Sequence, residues 1–406
     1  MSLEEMQEQV ERYYIEMENE LLMNIAKKLI QNKPMEIDKY DLEKKQSILG
    51  SGGVNEWQLE RLKELNGLTK ENARIIAKYS GKTIEEIEKI FERAAKIGTE
   101  IDQDMLEMGV KVGILNEVNP YSEKQMVKNI IKSAIKETLT TFNEANGSLL
   151  VSSNKNYKKI VNKVSTEVMS GTKTFQKAME EAVSDLAQKG LTSFTARNGA
   201  EWHSDSYIKM VLRTNSRNAT NKIQEDRMKL YGNDYVEISS HLGARPLCSH
   251  DQGKIFSLSG NTTPIEDLNG NLIPVYDWNK SSYGEPAGIL GINCGHSRYA
   301  FIPNLSIHRE KQLDKEENDE LYKITQQQRL YERTIRNKTR EINLLNTIGA
   351  EKEYINNKKG QLKSYKQQFN KFIEEKGLTK RVNTIVIQNA TQKQQNKIIS
   401  EYQKNH

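Results

Sequence analysis

Apolar residues recur at three- and four-residue spacing along much of the chain, which is the pattern of amphipathic helices. Three such stripes lie in the N-terminal half, formed by Ile87, Ile90, Phe91 and Ala94, by Ile130, Ile131, Ala134, Ile135 and Leu139, and by Phe175, Met179, Ala182, Val183 and Leu186. Thr83 and Glu86 form a capping box that predicts the start of the first helix, while Thr174 and Gly190 predict the two ends of the third. We expect these stripes to pack on one another.

The C-terminal part of the chain has the same helical periodicity. Its apolar positions are Ile324, Tyr331, Ile335, Ile342, Leu345 and Ile348, followed by Leu362, Tyr365, Phe369 and Phe372. This pattern predicts one or two long helices that form a coiled coil or a helical hairpin, with Gly360 as the candidate turn.

The middle of the chain has a different pattern, in which turn residues separate short alternating segments. Five of the seven prolines and eight of the 24 glycines lie between Val236 and Asn304. A helix is predicted over Tyr207–Tyr231, and the alternation in Tyr235–His241 and Lys254–Gly260 predicts two strands. Asn269-Gly270 is a strong signal for a hairpin turn.

These patterns predict a mainly α protein with a small α+β module. We expect a helical region at residues 1–205, a turn-rich module with short strands at 206–306, and a basic helical or coiled-coil tail at 307–406.

Composition narrows the class of protein. The 406-residue chain has a formal net charge of +5, which is too small to indicate nucleic-acid binding by itself. It has no run of about 18 apolar residues, so no membrane segment is expected. The acidic N-terminus lacks the features of a signal peptide. Two cysteines exclude a disulfide framework and favour a reducing cytoplasm.

The basic residues are concentrated in the tail. After Ser306 the sequence has 21 Lys and Arg residues against 13 Asp and Glu. Lys358, Lys359, Lys363 and Lys366 are spaced closely enough to contact neighbouring phosphates of double-stranded DNA. The alternative is that these lysines are simply solvated, on a helix whose apolar stripe pairs with another helix.

Cysteine and histidine are clustered in the predicted module. Cys248-x-His250 and Cys294-x-His296 form two similar half-sites, and His241 precedes them within the same 56 residues. Two short loops that each supply two nitrogen or sulfur ligands can form a tetrahedral site for a structural Zn²⁺ ion. The usual spacing within such a pair is two to four residues, so the metal hypothesis has competitors.

One competitor is a structural polar cluster without any cofactor. Its members would be His241, Arg245, Gln252 and Asn293, with the Arg245 guanidinium holding backbone carbonyls in fixed geometry. Another is a metal-dependent nuclease, or an enzyme of a different kind, that uses His241, His250, Asn293 and His296. Such enzymes need a metal ion that is usually held with the help of carboxylates, and Asp251 is the carboxylate near these residues in sequence.

Four segments of the module resemble the phage minor capsid protein 2 family, whose members are minor head proteins of tailed phages. They are His241–Pro246, Gln252–Lys254, Tyr283–Gly284 and Gly291–His296, and Val211–Thr214 is a further match upstream. The resemblance implies a virion component that enters the head during assembly in the host cytoplasm. It implies a place near the portal or inside the shell, contacts with the portal, the major capsid protein or the scaffold, and no established enzymatic activity. The basic tail would then face packaged double-stranded DNA.

Overall fold

Long helices form most of the computed structural model, which describes residues 1–31, 52–196 and 199–378. They are α1 (Leu3–Leu29), α2 (Gly52–Lys63), α3 (Leu65–Glu100), α4 (Gln103–Lys111), α5 (Pro120–Met169), α6 (Phe175–Lys189), α7 (Ser204–Tyr231), α8 (Pro246–Asp251), α9 (Lys315–Thr347) and α10 (Lys352–Glu375). The strands are β1 (Thr192–Thr195), β2 (Glu201–His203), β3 (Tyr235–Ile238), β4 (Ile255–Ser257), β5 (Ile265–Glu266), β6 (Leu272–Ile273), β7 (Val275–Asp277) and β8 (Arg298–Phe301). The predicted fold class is confirmed.

The small sheet has four strands in the order β7-β4-β3-β8. Strand β3 is antiparallel to β4 and to β8, whereas β4 and β7 are parallel. The two strands predicted by alternation correspond to β3 and β4. The predicted hairpin turn at Asn269-Gly270 connects β5 and β6, and Gly270 adopts a φ of +78° that favours glycine.

Two helix boundaries differ from the predicted ones. Thr83 does not begin a helix, because it lies within α3, where its hydroxyl donates to the carbonyl oxygen of Tyr79 at 2.9 Å. Gly360 lies within α10, and the turn between α9 and α10 is at Gly349, which has a φ of +66°. The predicted N-cap at Thr174 is confirmed, since its side chain accepts a hydrogen bond from the Lys177 N–H.

The described residues form two compact units, and each unit draws on three separate segments of the chain. The first unit consists of Met1–Val10, Ile84–Phe142 and Ile208–Gln327. The second consists of the described parts of Glu11–Thr83, Asn143–Tyr207 and Gln328–His406. The linear division at residues 205 and 306 stays a prediction, and the predicted tail extends beyond the described residues after residue 378.

The core of the first unit surrounds the four-stranded sheet. Val236 and Ile238 of β3 pack with Met228 of α7, Leu106 of α4 and Ala300 of β8. The stripe predicted for α3 is fully buried at Ile87, Ile90, Phe91 and Ala94. The core of this unit is therefore formed by apolar residues of both helices and strands.

The second unit has a core formed by helices. Trp57 packs edge-on against Phe175, with their ring centroids 5.0 Å apart, and the predicted α6 stripe is buried from Met179 to Leu186. The buried guanidinium of Arg340 lies 2.7 Å from a Glu18 carboxylate oxygen, so its charge is compensated. Within the described ranges, no helix has both the length and the apolar content needed to cross a membrane.

Candidate functional site

Two cysteines and a histidine lie together in the core of the first unit. Cys248 is on α8, which begins with Pro246 in its first turn, a position where the fixed φ of proline favours helix formation. Cys294 and His296 lie on the segment that leads into β8. The exposed fractions of Cys248, Cys294 and His296 are 2%, 5% and 2%. We call these three residues the Cys-His trio.

The ligand atoms of the trio are within contact distance of one another. The two Sγ atoms of Cys248 and Cys294 are 3.9 Å apart, and Cys294 Sγ is 3.3 Å from Nδ1 of His296. All three ligand atoms lie within 4.8 Å of each other. Three of the four predicted metal ligands are therefore brought together by residues from two separate segments.

The two thiols of the trio are not equivalent. A hydrogen bond from the Cys248 thiol lowers the pKa of Cys294, and His296 lowers it further, against the opposing effect of burial. The same hydrogen bond and burial raise the pKa of Cys248. The hydrogen bond between the two thiols therefore shifts their pKa values in opposite directions.

The orientation of the His296 ring is fixed by Gln252. Nε2 of His296 lies 3.1 Å from Oε1 of Gln252, and the same oxygen accepts the His241 backbone N–H at 3.2 Å. A carbonyl oxygen can only accept, so Nε2 of His296 carries a proton and Nδ1 is the nitrogen that faces Cys294. Gln252 is fully buried, and its Nε2 has no hydrogen-bond partner among the described residues.

The other residues of the predicted polar cluster surround the trio at different distances. His241 stacks on His296, with ring centroids 4.1 Å apart. Nη2 of Arg245 lies 3.5 Å from the carbonyl oxygen of Gly288, and its clamping role stays a prediction. Asn293 is exposed and has a φ of +55°, and its backbone N–H donates to the Thr214 hydroxyl at 2.9 Å.

His250 is separated from the trio, which corrects the predicted set of four metal ligands. Its side chain is 73% exposed, and its Nδ1 lies 3.0 Å from a carboxylate oxygen of Asp251. The reason is helical geometry, because residues two apart on a helix do not face the same side. When Cys248 points into the core from α8, His250 points away from it.

The residues of the nuclease hypothesis do not form one site. His250 is directed to solvent, and the potential ligand group contains no carboxylate among the residues that the structure describes. Asp251 is buried and serves the fold, since its carboxylate accepts hydrogen bonds from the backbone N–H of Ser282 at 2.7 Å and from the Ser282 hydroxyl. A hydrolytic metal centre is therefore not assembled from these four residues.

Sequence reasoning missed two buried charged residues that hold β8 in place. Asp102 accepts hydrogen bonds from the backbone N–H of Ala300 at 3.0 Å and from the side chain of Gln224 at 3.2 Å. Arg298 lies 3.0 Å from a carboxylate oxygen of Glu225 and also donates to the carbonyl oxygen of Asn221. Burial raises the pKa of Asp102, while these hydrogen bonds oppose that effect. No periodicity or motif marks either residue.

The four tail lysines are also separated by the structure. Lys358 is only 16% exposed, and its Nζ lies 2.6 Å from a carboxylate oxygen of the buried Glu341. Lys359, Lys363 and Lys366 instead line a shallow groove of about 370 Å³ along α10. We call these three residues the α10 lysines, and they remain the candidate DNA contact, whereas Lys358 is an internal ion-pair partner.

The class of protein follows from comparison with known proteins, which show a phage structural protein. The chain is 28% identical over 289 residues to a structural protein of Lactococcus phage LL-H, an alignment that covers 69% of this chain and 75% of that protein. It is 44% identical over 62 residues to a structural protein of Lactococcus phage mv4, which covers 15% of this chain and 48% of that protein. No solved structure matches the chain.

The particular family is given by a match over most of the sequence. The model of the family described as Phage minor capsid protein 2 matches residues 1–374, and the chain therefore belongs to this family. The resemblance seen in the module is confirmed. The protein has a structural role in a phage virion.

Proposed function

We propose that the protein is a minor component of the phage head that joins the particle during assembly in the host cytoplasm. It acts through protein contacts with the portal, the major capsid protein or the scaffold, and not as an enzyme. The observation that carries this proposal is an apolar stripe on α5 that the first unit leaves half-buried.

The stripe lies along one side of a groove in the first unit. Val127, Ile131 and Ile135 follow each other at intervals of four residues and are each half-buried. With Ala95 and Thr99 of α3 they line a groove of about 740 Å³, which we call the α5 groove. The stripe predicted for α5 is thus covered less completely than the stripe of α3.

Positive charge borders the apolar positions of the α5 groove. Lys124, Lys128 and Lys132 are exposed, and each is three residues before one of the half-buried apolar residues. Within the described part of the chain, no carboxylate lies at ion-pair distance from these three lysines. Two carboxylates also line the groove: that of Glu123 is already bound by Arg227, and that of Glu92 is exposed, so the three lysines leave a surplus of positive charge.

The occupant that fits the α5 groove is an amphipathic helix of another head protein. Helices bind in such grooves through apolar residues at three- and four-residue spacing. A helix with acidic residues beside its apolar face would complement the three lysines, and such complementarity sets the orientation and specificity of the contact. We therefore assign the partner an acidic amphipathic helix.

Carbodiimide cross-linking of purified virions and proheads tests this proposal, because the reagent joins lysine amines directly to carboxylates that they touch. We expect Lys124, Lys128 or Lys132 to be coupled to an acidic peptide of one head protein, identified by mass spectrometry. Cross-links that come only from other lysines would contradict the assignment of the α5 groove.

A matched pair of variants gives a second readout. Ile131→Glu places a charge in the groove, whereas Ser133→Glu places the same charge at an exposed position on the same helix. We expect the first to reduce incorporation into heads and the second to leave it unchanged. Equal incorporation of both variants would exclude the α5 groove as the contact.

A second contact, with packaged double-stranded DNA, is favoured by the placement of the α10 lysines. Lys359 and Lys363 are exposed, and Lys366 is partly exposed one turn further along the helix. Cations in such a row can each contact a phosphate without reading the base sequence. Binding of this kind is weak and strongly salt-dependent.

A further inference from the structure

We propose that the Cys-His trio binds a structural Zn²⁺ ion. In a tetrahedral site, Zn–S bonds of about 2.3 Å place two sulfur atoms about 3.8 Å apart, and a Zn–N bond of about 2.0 Å places sulfur and nitrogen about 3.5 Å apart. The corresponding separations here are 3.9 Å between Cys248 Sγ and Cys294 Sγ and 3.3 Å between Cys294 Sγ and His296 Nδ1. Two of the three separations therefore match those of zinc ligands, and all three ligand atoms lie within 4.8 Å of one another.

The hydrogen bond between His296 and Gln252 is of the kind that zinc-binding histidines make. A ligating histidine donates its other ring N–H to an oxygen, which fixes the tautomer and aims the free nitrogen at the metal. Nε2 of His296 does this with Oε1 of Gln252, so Nδ1 is available as the ligand.

The chemistry of the ligand set selects the ion. Two cysteines and one imidazole are soft or borderline ligands, which favour Zn²⁺ over Mg²⁺ or Ca²⁺. Zinc binds cysteines as thiolates, and the bound ion would compensate their negative charge within this buried site. The candidate for the fourth ligand is the carbonyl oxygen of Gly288, which lies 3.3 Å from Cys248 Sγ.

The ion would tie α8 to the segment that leads into β8. Cys248 and Cys294 are 46 residues apart in sequence, and the Gly-rich loop between them includes Gly288 and Gly291. A metal bound by residues so far apart stabilises the folded module, because the site does not exist in the unfolded chain. The role of the ion is therefore structural, in keeping with the burial of all three ligands.

Elemental analysis of the full-length protein, purified with a phosphine reductant and without chelator, is the first test. We expect about one zinc per chain. Replacement by Co²⁺ should give the visible absorption of a tetrahedral site together with sulfur-to-cobalt charge-transfer bands. Protein that contains no zinc and gives no such spectrum after cobalt is added would overturn the proposal.

Variants distinguish the trio from its neighbour His250. His296→Gln and Cys294→Ser should each reduce the bound zinc to well below half of the wild-type content. His250→Gln is the matched control and should retain the full content, because that side chain is 73% exposed. Loss of zinc in the control to the same extent as in His296→Gln would contradict the assigned ligands.

Thiol titration of the wild-type protein provides a test that does not depend on the folding of variants. A mercurial reagent added in steps should release one zinc, detected with a chromogenic chelator, for every two cysteines that react. Zinc that stays bound after both cysteines have been modified would exclude them as ligands.

Discussion

The Cys-His trio of the first unit and the four lysines at residues 358–366 are both groups of chemically similar residues. The structure brings the members of the first group together and separates the members of the second. The trio gathers residues 248, 294 and 296 into one buried group. The lysines are nearly consecutive in sequence, and the structure directs Lys358 to the buried Glu341 while the α10 lysines line an outer groove.

The difference is explained by the direction in which a helix presents its side chains. Lys358 and Lys359 are neighbours in sequence and therefore point about 100° apart. The same rule separates His250 from Cys248 on α8, where both were predicted to be ligands. Closeness along a helix is thus a poor guide to a shared site, while distant loops can supply ligands that meet.

The largest effect is expected from removing the charge of Arg298, which holds β8 to Glu225 of α7. Arg298→Met leaves Glu225 without its buried partner and should lower the free energy of unfolding of the first unit by about 3 kcal/mol at neutral pH. Lys229→Met is the control, because it removes the exposed cation bound to the same carboxylate and should cost less than about 1 kcal/mol. Trp278 fluorescence, in a background with Trp57→Phe and Trp202→Phe, would report unfolding of this unit.

The pH dependence of the same variant tests the ion pair itself. Burial opposes the ionisation of Glu225, but hydrogen bonds from Lys229 and Arg298 lower its pKa to about 2. A carboxyl group with a lowered pKa in the folded state stabilises the protein above its unfolded value and loses that contribution as the pH falls. The difference between wild type and Arg298→Met should therefore be constant above about pH 5 and shrink towards pH 2. A difference that grows on acidification would contradict the ion pair.

A smaller effect is expected within the trio and its neighbour. His296→Ala removes a buried ring that is bonded to Gln252 and stacked on His241, and should cost about 2 to 3 kcal/mol in chemical denaturation. His250→Ala removes an exposed ring and should change stability by less than about 0.5 kcal/mol. If the two variants lose the same free energy of unfolding, His296 is no more important for stability than the exposed His250.

Lys358 and Lys359 of α10 form a similar pair of a half-buried and an exposed residue. The effects of replacing them on the free energy of unfolding should differ by a still smaller amount. Lys358→Gln leaves the buried Glu341 without its cation and should destabilise the second unit by about 1 to 2 kcal/mol. Lys359→Gln, one residue later and exposed, should be neutral within about 0.5 kcal/mol. Trp57 fluorescence would report the unfolding of the second unit. If Lys358→Gln leaves the free energy of unfolding unchanged, the ion pair with Glu341 does not stabilise this unit.

The smallest change is expected in DNA binding, with no change in stability. Lys359, Lys363 and Lys366 are replaced together by Gln in the full-length protein, and binding to random duplex DNA is measured at several salt concentrations. The slope of the logarithm of the binding constant against the logarithm of the salt concentration should become shallower by about 0.9 for each phosphate that is no longer neutralised. Lys323→Gln, Lys338→Gln and Lys371→Gln together match the change in charge at other positions. If both triple variants show the same reduction in affinity, the α10 lysines have no special role.

Local patterns predicted much of the fold but not the interior of the site. Helix α7, strands β3 and β4 and the turn at Gly270 follow from periodicity and turn chemistry, which act over a few residues. The predicted cap at Thr83 was wrong because a threonine hydroxyl within a helix can bond to the preceding turn, and this alternative leaves the same sequence signal. Gly360 was wrong as a turn because α10 tolerates a glycine in its interior.

The sequence predicted which types of residue form the candidate site, but it did not predict which individual residues belong to it. The concentration of Cys and His in one segment pointed to the trio, since few other residues of these types occur in the chain. The exclusion of His250 depends on the short helix α8, which no strong sequence signal announces. Asp102 and Arg298 could not be recognised, because their burial is created by tertiary packing between segments about 200 residues apart.

The first unit is built from three separate segments of the chain, and this arrangement has a consequence for folding during synthesis. Strand β8 pairs with β3 about 60 residues upstream, and its Ala300 bonds to Asp102, which is 198 residues away. A ribosome that adds roughly 5 to 20 residues per second needs about 10 to 40 seconds for the 198 residues that separate Ala300 from Asp102, and until then the sheet edge on β3 and the carboxylate of Asp102 lack their final partners. Folding of the first unit therefore cannot be completed before β8 has been made, and until then the nascent chain exposes an unpaired strand that chaperones can recognise.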